Sequence, residues 1–487
     1  MSHSSESRPR SVDAQQQMDG AGARRGPAVR GRQQTMERSK IMIRYLRGSA
    51  RPSIACIVTA AASMAFTVNA QGSGIDRRLG AEAARLCQGV PATVIGTPRT
   101  DRLAGTSGDD VIITAGARIA EALDGDDLVC VTRLTQYVAA GGGDDSVTTG
   151  DRQARTSISL DAGTDTFIGG ARHDSVDGGT GADNISTGNG PDHYSEWSPT
   201  PDNDQVRLGP GNDYASVASD DRLSGGSGLN TLNLACCQDV DQPLVVDNRA
   251  EVAIFDGKKL FHWVRFRGFH FDAWYSPERV VFEGTDAAEQ VTASQEFEYG
   301  PTVDELNLRG GNDEVVLNGL LAPVAAGEGN DWLRVVGFAD ERSLTLEPGP
   351  LSVDLGEGWL RLGEDNDRTL GVTDVENVEV DGFITAEVSG DDQPNQLIAG
   401  QSCLARMQGH GGPDLITARP QAGGCSARTA EYFDVPRSVR ADGGAGYDLL
   451  RGRETPDRLN GGPGIDTVDG RGSTDACTGE LRLHCER

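Results

Sequence analysis

A nine-residue period constrains this chain more than any other feature of its sequence. Asp165, Asp174, Asp183 and Asp192 stand nine residues apart, and Asp448, Asp457, Asp466 and Asp475 repeat that spacing. Two residues beyond each aspartate come Phe167, Val176, Ile185 and Tyr194 in the first run, and Leu450, Leu459, Val468 and Cys477 in the second. One large apolar residue in nine is too sparse for an amphipathic helix, which needs an apolar position every three or four residues. It suits very short strands, each turning one large side chain inward and each followed by a tight turn. Repetition at a fixed short period marks architectures in which stacked units bury together a core that none could bury alone.

The repeat has a full pattern. The segments 178–186, 443–451 and 461–469 each fit G-G-x-G-x-D-x-U-x, where U is large and apolar. Looser copies occupy 105–113, 140–148, 169–177 and 225–233, the last with Asn230 in place of Asp. Arg172, Thr455 and Ser473 replace the fourth-position glycine, so those turns are expected to bind an ion weakly or not at all.

Turn chemistry explains the residue types. Glycine is needed where the backbone takes φ > 0 or approaches another backbone closely. Such a turn points several carbonyl oxygens to one side, and the Asp adds a charged oxygen. Calcium is a hard cation that takes six to eight oxygen ligands. If one coil holds two nine-residue units, stacked turns lie eighteen residues apart and can share an ion. The expected pairs are Asp127/Asp145, Asp165/Asp183, Asp174/Asp192, Asp313/Asp331, Asp448/Asp466 and Asp457/Asp475. A metal-free Gly/Asp linker, as in disordered acidic segments, would have no use for apolar residues in phase.

At these residues the chain resembles the RTX (haemolysin-type) calcium-binding repeat family. The resemblance implies an all-β fold, a parallel β-roll/β-helix built from glycine-rich nonapeptide repeats. It implies calcium held by Asp110, Asp127, Asp145, Asp165, Asp174, Asp183, Asp192, Asp213, Asp313, Asp331, Asp448, Asp457, Asp466 and Asp475. The glycines of those loops would be Gly178, Gly181, Gly443, Gly446, Gly461 and Gly464. The opening from Cys87 through 91–97 to 109–112 and Cys130, and the close from Asp475 to Glu486, are similar to a secreted actinobacterial-type subgroup of that family.

Charge is distributed in keeping with this. The chain carries 73 acidic and 45 basic residues, a net charge of -28, and 64 glycines in 487 residues. Phosphates would be repelled by such a surface, which argues against a nucleic-acid partner. Residues 1–70 run the other way, with 11 Arg/Lys against 4 Asp/Glu. There Arg44, Arg47 and Arg51 precede an apolar run over 54–68 and the small-residue site Val68-Asn69-Ala70. That layout predicts a disordered extension followed by a secretory signal peptide cleaved near Ala70, and so an extracellular protein. Apart from Cys56 in the leader, eight cysteines remain. Local disulfides are expected: Cys87–Cys130, Cys403–Cys425 and Cys477–Cys485, with Cys236 and Cys237 left as a vicinal pair or bonded elsewhere. The expected divisions are a calcium-binding array over 71–235, an aromatic-rich insertion over 236–283, degenerate β-helix over 284–400, and disulfide-bonded calcium-binding repeats over 401–487.

The insertion holds seven of the 25 aromatics between Phe261 and Tyr275, beside Lys258 and Lys259. A hairpin or strand pair packed on the flank of the roll is the favoured reading, because aromatics usually go to cores. A glycan-stacking or partner-docking face around Trp263 and Trp274 is the alternative. Runs at 313–317, 333–336, 344–346, 351–355 and 375–380 read as strands. There is no H-E-x-x-H and no G-x-S-x-G, so neither a zinc protease nor a serine hydrolase is indicated. The expectation is a secreted, monomeric, non-enzymatic protein binding several calcium ions, which fold it outside the cell. The alternatives are a calcium-stabilised adhesin for a cell-surface or extracellular glycan, and a β-helix polysaccharide lyase or epimerase.

Overall fold

The computed structural model describes residues 86–486, apart from 151–154, 197–201, 218–219, 235–241, 273–278, 296–301, 338–346, 364–368, 420–424, 426–429 and 431–434. The leader, Cys236, Cys237, Trp274, Tyr275 and the run at 344–346 lie outside the described residues.

The repeat pattern is legible in each short strand. Asn184–Ser186, Leu449–Arg451 and Thr467–Asp469 each bury only their central residue, the U position of the pattern. Strands of this kind alternate between two parallel ladders, so each coil contributes one strand to each. In the first ladder Ile112, Val129, Val147, Phe167, Ile185, Val206 and Leu223 stand in register. In the second, Ala120, Val138, Ile158, Val176, Tyr194, Ala215 and Leu232 do the same. Both columns face inward and form one continuous core. Each fully buried Val, Leu or Ile contributes about 1.5–3 kcal/mol.

The aromatic segment continues the ladders. Lys258–Val264 pairs in parallel with Arg222–Ser224, and Gly268–Phe271 with Thr231–Leu234. A hairpin is present, since Val252–Phe255 runs antiparallel to Lys258–Val264. The aromatic side chains nevertheless enter the core instead of packing on a flank. Phe261, Trp263, Phe269 and Phe271 are all buried, and Trp263 meets Phe269 edge-on with ring centroids 5.9 Å apart. Trp263 Nε1 donates to Asn248 Oδ1 at 2.9 Å, so its one polar group is satisfied inside. A second antiparallel excursion links Glu347–Asp354, Trp359–Leu362 and Thr369–Thr373. Beyond it both ladders resume, one through Phe383–Ser389 and Ser402–Gln408, the other through Asn377–Asp381, Gln396–Ala399 and Leu415–Ala418.

Three disulfides close as expected: Cys87–Cys130, Cys403–Cys425 and Cys477–Cys485, with Cα separations of 5.5, 5.0 and 5.8 Å. The first and last fasten the two ends of the described coil stack, where a parallel ladder lacks a neighbour on one side. Cys403 and Cys425 form a small separate core with Ile384 and Ala430.

Candidate metal centres

The sixth-position aspartates stand where a turn becomes a strand. Each is bonded to the coil before it by its own carboxylate. On one side of the stack, the Asp110 N–H donates to Asp127 Oδ1, Asp127 to Asp145, Asp145 to Asp165, Asp165 to Asp183, Asp183 to Asp204, and Asp204 to Asp221, at 2.7–3.0 Å. On the other side the row runs Asp174, Asp192, Asp213 and then Asn230. It resumes as Glu289, Asp313, Asp331 and Glu376, and again as Asn395, Asp414, Asp448, Asp466 and Glu480. Asp457 and Asp475 are linked in the same way, and Asp475 donates to Glu486. All six pairs expected from the eighteen-residue spacing are neighbours of this kind.

Only one oxygen of each carboxylate is used. The Oδ2 atoms of Asp127, Asp145, Asp165, Asp183, Asp192, Asp213, Asp313, Asp331, Asp448, Asp466 and Asp475, and Oδ1 of Asp174, are buried with no donor. A buried polar atom without a partner is costly, and a buried charge more so. Two expected ligands differ. Asp110 has both oxygens occupied, by Thr93 Oγ1 and by the N–H and hydroxyl of Thr106. Burial opposes it, yet those donors hold its carboxyl below the usual value. Asp457 accepts from the N–H groups of Val439 and Arg453 and from the Thr455 hydroxyl.

The glycines bring carbonyl oxygens to the free carboxylate oxygens. A Cβ on Gly443 would lie 2.5 Å from Asp448 Oδ2 and 2.6 Å from the Gly461 carbonyl oxygen, so the space beside Gly443 Cα is framed by oxygens from two coils. A Cβ on Gly461 would lie 2.6 Å from Asp466 Oδ2. Gly178 faces Asp204 Oδ2 and the Tyr194 hydroxyl instead. The fourth-position glycines make close contact with the neighbouring coil. Gly181 has φ +130°, and a Cβ there would stand 1.6 Å from the Gly163 carbonyl oxygen. Gly446 and Gly464 press likewise on the carbonyls of Gly412 and Gly446.

Electrostatics follow from this burial. Desolvation, reinforced by the neighbouring carboxylates of the row, pushes Asp145, Asp313 and Asp414 up to about 7 and Asp183 up to about 8. Backbone N–H groups offset only part of it. The donor set is anionic, buried and made of oxygen alone, which fits a hard cation such as calcium and not a soft one. Calcium bound there would supply positive charge and coordination to oxygens that hydrogen bonds leave free.

Asp204, Asp221 and Asp414 also belong to these rows and lie outside the regular spacing. Asp204 follows Asp183 by 21 residues and Asp221 follows Asp204 by 17, so neither falls in the eighteen-residue phase. Asp414 had a usable signal, the glycines of Gly409-His410-Gly411-Gly412 before it.

A family profile for the RTX calcium-binding nonapeptide repeat matches the chain in four copies, over 95–116, 161–194, 440–468 and 452–481. No curated protein matches the chain. Among the described residues no helix is long and apolar enough to cross a membrane.

Proposed function

We propose that this chain of RTX calcium-binding repeats is a secreted, non-enzymatic calcium-binding protein whose folding is coupled to the ion outside the cell. The observation that carries the reading is the row of buried carboxylate oxygens without donors, set beside turn carbonyls of the adjacent coil. Hydrogen bonds from main-chain N–H groups fix one oxygen of each Asp and so orient the other toward the turn. The glycines keep side chains out of that space. With no cation, the free oxygens repel one another along the row and oppose stacking of the coils. A cation between turns reverses the sign of that contribution, so binding free energy becomes folding free energy. Low calcium before export would leave the coil stack only weakly stable, and higher calcium outside would tighten it. The buried position of Trp263 supports a core role for the aromatic segment over a docking face.

Circular dichroism of the protein in calcium and in chelator tests this. A cooperative gain of β signal on adding calcium is expected. Identical spectra in both conditions would reject it.

A further inference from the structure

One group of acids breaks the repeat rule. Glu196 directly follows the strand His193–Ser195, and the register pairs Ser195 with Asp177. Glu196 therefore stands one coil beyond Gly178, where the pattern calls for a glycine. It carries a carboxylate into the acid row. Ligand atoms of Glu196, Asp202, Asp204 and Asp221 all lie within 4.8 Å of one another. Glu196 is only 2% exposed and Asp221 is fully buried. Protein donors account for some of the oxygens. Asp204 accepts from the Asp183 N–H at 2.8 Å and from the Tyr194 hydroxyl at 2.5 Å. Asp221 Oδ1 accepts from the Asp204 N–H at 3.0 Å, and Asp202 Oδ2 from the Gly181 N–H at 3.4 Å. Four oxygens remain buried with no donor: Glu196 Oε1 and Oε2, Asp202 Oδ1 and Asp221 Oδ2. Among the described residues, no Arg, Lys or His forms an ion pair with any of the four acids.

We infer that Glu196, Asp202, Asp204 and Asp221 form a carboxylate site for a hard divalent cation of the calcium type, separate from the repeated turns. A repeated turn presents one free carboxylate oxygen and depends on carbonyls. This cluster presents four free carboxylate oxygens at one place. Burial of several uncompensated carboxylates is costly, and one divalent cation relieves all of them together. The set contains no sulfur or nitrogen donor, which disfavours zinc and copper. Calcium tolerates mixed one- and two-oxygen carboxylate binding, whereas magnesium demands near-octahedral geometry and keeps its waters. Affinity rises with the number of charged ligands, so this site takes the first and tightest ion of the protein.

The test measures bound calcium per chain by emission spectroscopy after dialysis against calcium buffers, using the whole protein and circular dichroism to follow the fold. Glu196→Gln and Asp202→Asn are expected to weaken the first binding step at least tenfold. Asp466→Asn, in a distant repeated turn, is expected to leave that step unchanged and to lower occupancy only at higher calcium. Asp202 is less buried than Glu196, so its variant serves if Glu196→Gln does not fold. First-step affinity equal to wild type in the folded acid-site variants overturns the inference while leaving the repeated turns intact. So does a Glu196→Gln variant that melts higher in chelator with its calcium count unchanged, because the acids would then share a proton. A wild type that binds no calcium removes both this site and the reading of the repeats.

Discussion

The main-chain N–H of Asp127 donates to Oδ1 of Asp145 at 2.8 Å, while Oδ2 of the same carboxylate is buried and has no donor. One side chain thus performs two tasks. Its first oxygen sets the register between coils, and its second is held where only a cation can satisfy it. Asn230 separates the two tasks, because its Oδ1 accepts the Asp213 N–H at 3.1 Å while its Nδ2 donates to the Arg265 carbonyl at 3.2 Å.

Asp145→Asn should reproduce that division. The amide oxygen can keep the bond from the Asp127 N–H, and the amide nitrogen, a donor, replaces the unsatisfied oxygen. Removing a buried, unpartnered charge should stabilise the protein in chelator by about 1–3 kcal/mol. The same change should remove one bound calcium and shrink the calcium-induced rise in melting temperature. Thermal melts in chelator and in calcium read both quantities, and a variant less stable than wild type in chelator would contradict the assignment.

The metal-free protein should be more stable in mild acid than at alkaline pH. Burial raises Asp145, Asp313 and Asp414 to about 7 and Asp183 to about 8, whereas unfolded aspartates titrate near 3.9. The folded state therefore holds protons that the unfolded state releases. Stability is undiminished below about pH 4 and is lost as pH rises through the folded values at about 7 to 8. Chelated protein should melt at a higher temperature at pH 5 than at pH 8. Calcium competes with those same protons, so its affinity should fall over the same interval as pH drops. Melting temperatures in chelator that rise from pH 5 to pH 8 would refute the account.

The nine-residue phase made the coil, its two strands and the six eighteen-residue Asp pairs legible, because each depends only on local spacing. Asp204 and Asp221 were not legible. Asp213 also follows its neighbour by 21 residues, but Gly209 and Gly211 mark its turn, whereas no glycine lies in 196–203 before Asp204 or in 214–220 before Asp221. Glu196 escaped because a lone Glu after a strand normally reads as a solvated charge. The use of one oxygen for the neighbouring N–H was also invisible, since spacing places two carboxylates side by side without orienting them. For the aromatics, the preference for core over surface was sound. Their entry between the ladders at Phe261 and Trp263 depends on strand register with residues about forty positions earlier in the chain.

Substituting the fourth glycine of a turn should be far more damaging than substituting an exposed glycine with open space beside it. Gly181→Ala forces a side chain onto the Gly163 carbonyl and into φ +130°. A cost on the order of 3 kcal/mol or more is expected from strain and overlap together. Gly371 is exposed, and a Cβ added there would meet nothing within 4 Å, so Gly371→Ala should fall within about 0.5 kcal/mol of wild type. Urea denaturation in saturating calcium compares them, and equal midpoints would show that the coils are not in close contact at Gly181.

Asp457 and Asp466 hold the same position nine residues apart, but Thr455 replaces the fourth glycine of the Asp457 turn, and the two should behave in opposite ways. Asp466 has a buried Oδ2 with no donor. Asp457 Oδ2 instead accepts the Arg453 N–H at 2.6 Å, and the Arg453 side chain adds a positive charge beside it. That guanidinium is buried and donates to the carbonyls of Gly400 and Ser402 at 2.7 and 2.5 Å. The Arg453 N–H thus takes the carboxylate oxygen that a metal would otherwise satisfy. Asp466→Asn should lose bound calcium and, like Asp145→Asn, gain stability in chelator. Asp457→Asn should leave the calcium count unchanged and destabilise the chain by about 1–3 kcal/mol, because an amide donor would then face the Arg453 N–H. Arg453→Met should cost about 1–3 kcal/mol, since it leaves the buried carbonyls of Gly400 and Ser402 without their donor. Calcium counting beside chelator melts separates the three variants. Loss of calcium from Asp457→Asn equal to that from Asp466→Asn would show that Arg453 does not substitute for the ion.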